Sequence, residues 1–146
     1  MAHPPSSARE PAGHPAPARN EVGALPLLYG LLAAPAAAAL ETLIGMGVVG
    51  RACLPTDHPL AHPQFSTGPI VWTVHGIALL LGLASVWVSV EAWRRTRHEH
   101  EGGREAMVEI GEGRTRFLAM MALLTSIGFT VLIVFDTVGL ATLGPC

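Results

Sequence analysis

Apolar residues in this chain are gathered into three long stretches separated by polar segments. The first, Leu25–Gly50, has Glu41 as its one charged residue, and the second, Ile70–Val90, has none. The third, Phe117–Leu143, contains only Asp136. A helix needs roughly 20 mostly apolar residues to cross the ~30 Å hydrocarbon core of a bilayer. The pattern therefore predicts an all-α integral membrane protein with three transmembrane helices. The predicted spans are residues 24–50, 70–93 and 117–142.

The segment before the first stretch has a different composition. Met1–Asn20 contains five prolines among Ser, Ala and Gly residues, with no apolar periodicity. Proline at that density removes backbone donors and interrupts helices and sheets. We therefore expect a disordered cytoplasmic tail over residues 1–22 and one three-helix transmembrane domain over residues 23–146.

Arginine is distributed unevenly between the polar segments. Residues 94–116 contain six arginines and the N-terminal tail two, whereas the segment between the first two stretches contains only Arg51. Segments that stay in the cytoplasm carry the excess of positive charge. The distribution predicts a multi-pass protein with a cytoplasmic N-terminus and an external C-terminus.

Composition narrows the class of partner. Half of the residues are hydrophobic, 14% are charged, and the mean hydropathy is +0.43. A disordered chain would be less apolar, and the net charge of −2 does not suit nucleic acid. The expected surroundings are the lipid bilayer and other membrane subunits.

Small and hydroxyl side chains recur along one face of the second and third stretches. Membrane helices approach each other closely along such faces, because apolar lipid supplies no hydrophobic force between helices. The pattern predicts a packed bundle. The residues are Ala78, Gly82, Ser85 and Ser89 in the second stretch, and Ala122, Ser126, Thr130 and Thr137 in the third.

Two cysteines are predicted to reach the same face of the membrane. Cys53 follows the outer end of the first stretch, and Cys146 is the last residue of the chain. Disulfides persist outside the bacterial cytoplasm, so we expect a bond between these two residues. The alternatives are two free thiols and a pair that binds copper or another soft metal.

Three ionisable residues are predicted inside the outer half of the bundle. Glu41, His75 and Asp136 fall at comparable depths when counted at about 1.5 Å per residue from the outer ends of their stretches. Ionisable residues within a bilayer are costly and usually face protein or water. We expect an intramembrane polar cluster that serves packing, with Glu41 protonated or bonded to His75 or Thr42. The alternative is a proton relay.

The sequence contains no motif of an enzyme or of a cofactor site. It lacks a nucleophile elbow, a phosphate-binding glycine loop and a haem-attachment motif. His75 has no second histidine at a similar depth to complete a two-imidazole haem site. The loop pairs His58 with His62 and His98 with His100 lack a specific metal-ligand spacing. We therefore predict no catalytic residue, cofactor or metal.

Several short segments resemble one known group of proteins. These are Ala34-Pro35 and the following Cys53, Ala92-Trp93-Arg94-Arg95, Arg116-Phe117-Leu118-Ala119 and the terminal Gly144-Pro145-Cys146. Residues 25–146 resemble the small three-helix membrane proteins encoded in proteobacterial cytochrome c oxidase gene clusters, often beside the copper-delivery assembly factor. The first stretch departs from that group, since alanine replaces most of its usual aromatic and polar residues.

The resemblance implies a protein of the bacterial inner (cytoplasmic) membrane. Its implied role is that of a non-catalytic accessory subunit or assembly factor of a respiratory membrane complex, and the complex is a haem–copper cytochrome c oxidase. Two other hypotheses remain. A small oligomeric transporter or proton-conducting protein would use Glu41 and Asp136. A copper or thiol-redox protein at the periplasmic face would use Cys53 and Cys146.

Overall fold

The computed structural model describes residues 22–54, 58–60, 62–97 and 113–143. These residues form three helices and, within the described ranges, no strand. The helices are α1 (Ala24–Cys53), α2 (Gly68–Thr96) and α3 (Arg114–Leu143).

All three helices are long and apolar enough to cross a membrane, which confirms the predicted all-helical, three-span class. Each has 29 or 30 residues. At 1.5 Å per residue each is roughly 45 Å long, so its ends extend beyond a ~30 Å hydrocarbon core. Arg51 and the Arg94-Arg95 pair lie in these end turns, where long cationic side chains reach the headgroups. The orientation stays a prediction, and residues 1–21 lie outside the described residues.

Each helix packs against the other two, so the bundle is triangular in cross-section. The relative direction of α1 and α2 follows from the order of their contacts along the two helices. On α1 the contacts advance from Gly30 to Glu41 while their partners on α2 recede from Ser89 to His75, so these two helices are antiparallel. Gly82, which lies between Ser89 and His75 on α2, faces Thr130 of α3, so α3 packs along the same part of α2.

The seam between the helices consists mostly of small side chains. The structure buries all four residues of the predicted α2 stripe, together with Ala122, Ser126 and Thr130 of α3. Two apolar clusters flank these hydroxyl groups along the helix axes, one on each side. One contains Ala37, Ala38, Ala78 and Ile133 with Leu79 packed against it, and the other contains Val22, Ala92 and Ala119 with Leu27.

The helices approach most closely at two glycines. A Cβ added to Gly30 would overlap Ser89 Oγ and lie 3.3 Å from Ala122 Cβ. A Cβ added to Gly82 would lie 2.8 Å from Thr130 Oγ1. Ser85 Oγ also donates a hydrogen bond of 3.0 Å to the Gly30 carbonyl, between α2 and α1. A larger side chain at either position would therefore have to displace Ser89 or Thr130 for the helices to keep this contact.

The segment after α1 folds back onto the end of that helix. Leu60 N donates to the Cys53 carbonyl at 2.8 Å, and Gln64 N donates to the Ala52 carbonyl at 3.0 Å. The last carbonyls of a helix have no partner within the helix, so these bonds satisfy them. They also fix Cys53 in a buried position.

Most of the bundle surface is apolar. In the most apolar 18-residue part of each helix, only 28% of the residues are buried. The remaining side chains are mainly large aliphatic and aromatic groups that face outward. In water this surface would drive aggregation, whereas lipid tails solvate it.

Candidate functional site

A carboxyl–imidazole pair lies inside the bundle, between α1 and α2. His75 Nε2 is 2.9 Å from Glu41 Oε1. Only 1% of the Glu41 side chain and 9% of the His75 side chain are exposed. Each residue follows its helix stripe, since Glu41 is one turn beyond buried Ala37 and His75 is one turn beyond buried Val71.

The second nitrogen of the His75 ring fixes its tautomer. Nδ1 lies 2.9 Å from the carbonyl oxygen of Val71, one turn earlier on α2. A carbonyl can only accept a hydrogen bond, so Nδ1 carries a proton. In neutral histidine Nε2 is then a bare acceptor, and in the imidazolium it is a second donor.

It follows that one proton lies between Glu41 and His75. A bare Nε2 facing a carboxylate would place two acceptors 2.9 Å apart without a hydrogen between them. Either the Glu41 carboxyl is protonated and donates to Nε2, or His75 is an imidazolium and donates to the carboxylate. Both arrangements have zero net charge, which suits a site buried at this depth.

The other carboxyl oxygen of Glu41 has no partner. Both oxygens are buried, and among the described residues neither accepts a hydrogen bond of standard geometry; Oε1 has its 2.9 Å contact with His75 Nε2, whereas Oε2 has no polar contact. A buried acceptor left in this way loses its hydration without compensation, at about 1–3 kcal/mol. Thr42, the other expected partner of Glu41, instead donates to the Ala38 carbonyl at 2.9 Å.

Glu41 also lines a cleft of about 170 Å³, which lies between α1 and α2 at the surface of the bundle. The α1 side is formed by Ala37, Leu40, Glu41 and Ile44. The α2 side is formed by Val74, Ile77, Ala78 and Leu81. Both sets have the i, i+3, i+4, i+7 spacing of a single helix face. Sequence reasoning missed this cleft, although that shared spacing was a signal for it.

Asp136, the third member of the predicted cluster, lies on an exposed part of α3. The structure therefore brings Glu41 and His75 into contact and leaves Asp136 at the bundle surface.

Cys53 is buried at the end of α1, and no cysteine in the described part of the chain is a free thiol. Its expected partner, Cys146, lies outside the described residues. The Cys53–Cys146 disulfide therefore stays a prediction, as does a copper or thiol-redox site built from the same two residues.

We expect the protein purified from its native membrane to contain the Cys53–Cys146 bond. Mass spectrometry without reductant should give a mass about two units below that of the reduced chain, because each disulfide removes two hydrogens. Alkylation of both thiols in unreduced protein from an oxidising compartment would contradict the bond. It would also contradict the predicted external position of both residues.

The loop histidines do not form a metal site in the described part of the chain. His58 and His62 are exposed, and His98 and His100 lie outside the described residues. No group of three His, Cys, Asp or Glu side chains within residues 22–54, 58–60, 62–97 and 113–143 is arranged to hold a metal ion.

No protein-family model, curated protein or solved structure matches this chain.

Proposed function

We propose that this chain is a non-catalytic accessory subunit or assembly factor of a respiratory membrane complex, a haem–copper cytochrome c oxidase. In this proposal it resides in the bacterial inner membrane, with its N-terminus in the cytoplasm and its C-terminus outside. Its partners are the membrane subunits of the oxidase and the surrounding lipid.

The observation that carries the proposal is the contrast between the interior and the surface of the bundle. The interior is closed by direct contacts at Gly30, Gly82 and the small residues around them. A path for a solute would have to pass those levels. The surface, in contrast, presents large apolar side chains and the exposed carboxyl of Asp136. A protein with a closed interior and an extensive membrane-facing surface is suited to binding other membrane subunits.

Asp136 adds a reason to expect a partner. It lies seven residues before the end of α3, roughly 10 Å along the helix, and so within the outer part of the span. Acidic side chains in spans are rare and usually pair with protein groups or face water. A neighbouring subunit with a hydrogen-bond donor at that depth would satisfy the carboxyl group.

The choice of an oxidase depends on the sequence resemblance. Arg116-Phe117-Leu118-Ala119 at the entry to α3 and the terminal Pro145-Cys146 are its most specific parts.

The proposal is tested by affinity purification of the full chain from its native membranes in a mild detergent. Oxidase subunits should co-purify with it, and deletion of its gene should lower the haem absorbance of the oxidase in membranes. The control is a tagged, unrelated three-helix protein expressed at the same level. Unchanged oxidase content together with the absence of co-purifying oxidase subunits would refute the proposal.

The Glu41–His75 pair favours a second candidate, a proton-conducting protein. A proton shared between a carboxyl and an imidazole can in principle be passed on. The chain would then need to oligomerise to enclose a path for protons, and Asp136 would be the next group to bind the proton. Purified protein in liposomes should in that case dissipate a pH gradient, whereas an accessory subunit should not.

A further inference from the structure

The cleft between α1 and α2 has the form of a binding site. Leu40 and Ile44 form one rim and Ile77 and Leu81 the other, and all four side chains are exposed. At its base lies Glu41, whose Oε2 atom is buried and has no donor among the described residues. We propose that this cleft is the docking site for a transmembrane helix of a partner subunit, which inserts one O–H- or N–H-bearing side chain onto Glu41 Oε2.

The hydrogen-bonding state of the pair determines the chemistry of the occupant. If Glu41 is protonated, its hydroxyl oxygen is the one at His75 and Oε2 is the carbonyl oxygen. If His75 is the imidazolium, Oε2 belongs to a carboxylate. Oε2 is an acceptor in both states, so the inserted group must be a donor. Serine, threonine, tyrosine, tryptophan, asparagine and glutamine side chains satisfy this requirement.

The dimensions favour a helix with a single inserted side chain. A cavity of 150 Å³ in another protein holds benzene, so the 170 Å³ of this cleft accommodates a ring-sized group. The rims follow the i, i+3, i+4, i+7 spacing on both α1 and α2. Two parallel ridges of this kind form a groove into which a helix of another chain packs, with one of its side chains entering the hole between four neighbours.

A second copy of this chain would also bring a donor to this depth. Copies inserted in the same orientation present their surfaces at the same depth, and Trp72, which is 47% exposed and three residues from His75, has an N–H there. The exposed hydroxyls of Thr42 and Thr73 already donate to carbonyls of their own helices. We assign the cleft to a different protein because the proposed function places this chain beside other membrane subunits, so this inference rests on the proposed function.

The experiment compares two residues of α2 that are equally exposed but lie on different sides. Ile77 is 54% exposed and lines the cleft, whereas Leu83 is 53% exposed and does not. A photo-crosslinking amino acid is placed at each position in the full chain, and native membranes are irradiated. At Ile77 we expect one discrete adduct, whose sequenced peptide is a transmembrane segment with a donor side chain. At Leu83 we expect lipid adducts only.

Variants then test the hydrogen bond itself. Ile77→Trp should block the cleft and Glu41→Leu should remove the acceptor. Loss of one interhelical hydrogen bond in a membrane corresponds to a fall in complex yield of roughly threefold to thirtyfold. Leu83→Trp and Glu41→Gln should keep the yield, since Leu83 lies outside the cleft and glutamine retains a carbonyl oxygen. Replacing the partner's donor side chain should lower the yield as Glu41→Leu does, with no further fall when both changes are combined.

The outcomes separate this inference from the proposed function. A crosslinked partner that is not an oxidase subunit would support the docking site and refute the oxidase role. If the Ile77→Trp variant still co-purified with the oxidase in native yield, the docking site would be refuted and the oxidase role would stand. Crosslinks at Ile77 only to lipid, only to a second copy of this chain, or to a peptide without a donor would also refute it.

Discussion

Replacing Gly30 with leucine is expected to separate α1 from the other two helices. Even a Cβ at this position would overlap Ser89 Oγ and press on Ala122, and the larger leucine side chain extends further into the same contact. Overpacking of a tight interior costs about 1–3 kcal/mol, and the hydrogen bond from Ser85 to the Gly30 carbonyl adds about 1 kcal/mol when it breaks. We expect a loss of about 3 kcal/mol in unfolding free energy, measured by titrating micellar protein with a denaturing detergent.

Gly45 on the same helix provides the matched control for Gly30→Leu. A Cβ added to Gly45 has no atom within 4 Å, so Gly45→Leu places the same side chain on the lipid-facing surface. Its unfolding free energy should stay within about 0.5 kcal/mol of the native value. Equal destabilisation by the two variants would mean that an effect of leucine common to both positions, such as altered membrane insertion, and not the close contact with α2, sets the cost.

The smaller change Gly30→Ala should be milder. Its Cβ meets the hydroxyl oxygen of Ser89 first, and a serine side chain can turn to another rotamer. The Cβ of Ala122 would then be 3.3 Å away, a distance that requires only a small shift. A graded series from glycine through alanine to leucine would therefore show that contact distance controls the stability of this seam.

The sequence predicted the helices and their inner faces well, for a simple physical reason. Lipid imposes a minimum length of apolar residues, and close packing without a hydrophobic force requires small side chains. The stripe from Ala78 to Ser89 satisfies the second condition, and the structure buries it. The helix ends were predicted less well, since Arg51 and Thr96 belong to polar turns that hydropathy does not count as span.

The candidate site was predicted only in part, because depth along a helix does not fix direction around it. Counting 1.5 Å per residue placed Glu41, His75 and Asp136 at similar depths. The structure joins the first two and leaves Asp136 exposed. A signal for this was present on α3. Thr137 continues the stripe of Ser126 and Thr130, and adjacent helix residues differ by about 100° in direction. Asp136 therefore points away from the seam.

Two further features of the site required coordinates. The bond from His75 Nδ1 to the Val71 carbonyl determines which nitrogen faces Glu41, and no sequence pattern distinguishes the two ring nitrogens. The unpartnered Oε2 of Glu41 is likewise a matter of side-chain geometry. Together they turn a list of polar residues into a pair that shares one proton and lacks one donor.

The pair should behave as a unit when its members are replaced. Glu41→Leu leaves Nε2 of His75 without a partner in an apolar interior, at about 1–3 kcal/mol of unfolding free energy. His75→Leu leaves both oxygens of Glu41 without a donor, at a similar cost. The double variant with leucine at both positions removes every unpaired group. Replacing both partners with apolar groups is often nearly neutral, so we expect it to be more stable than either single variant.

Glu41→Gln separates a packing role from a proton-carrying role. Its amide N–H₂ can donate to the bare Nε2 of His75, and its carbonyl oxygen replaces Oε2. We therefore expect both the unfolding free energy and the oxidase content of membranes to be nearly native for Gln and to fall for Leu. If Glu41 carried protons, glutamine would reduce proton flux as much as leucine does, because neither side chain titrates. Native oxidase content combined with loss of proton flux in the Gln variant would thus overturn the accessory-subunit proposal in favour of the proton conductor.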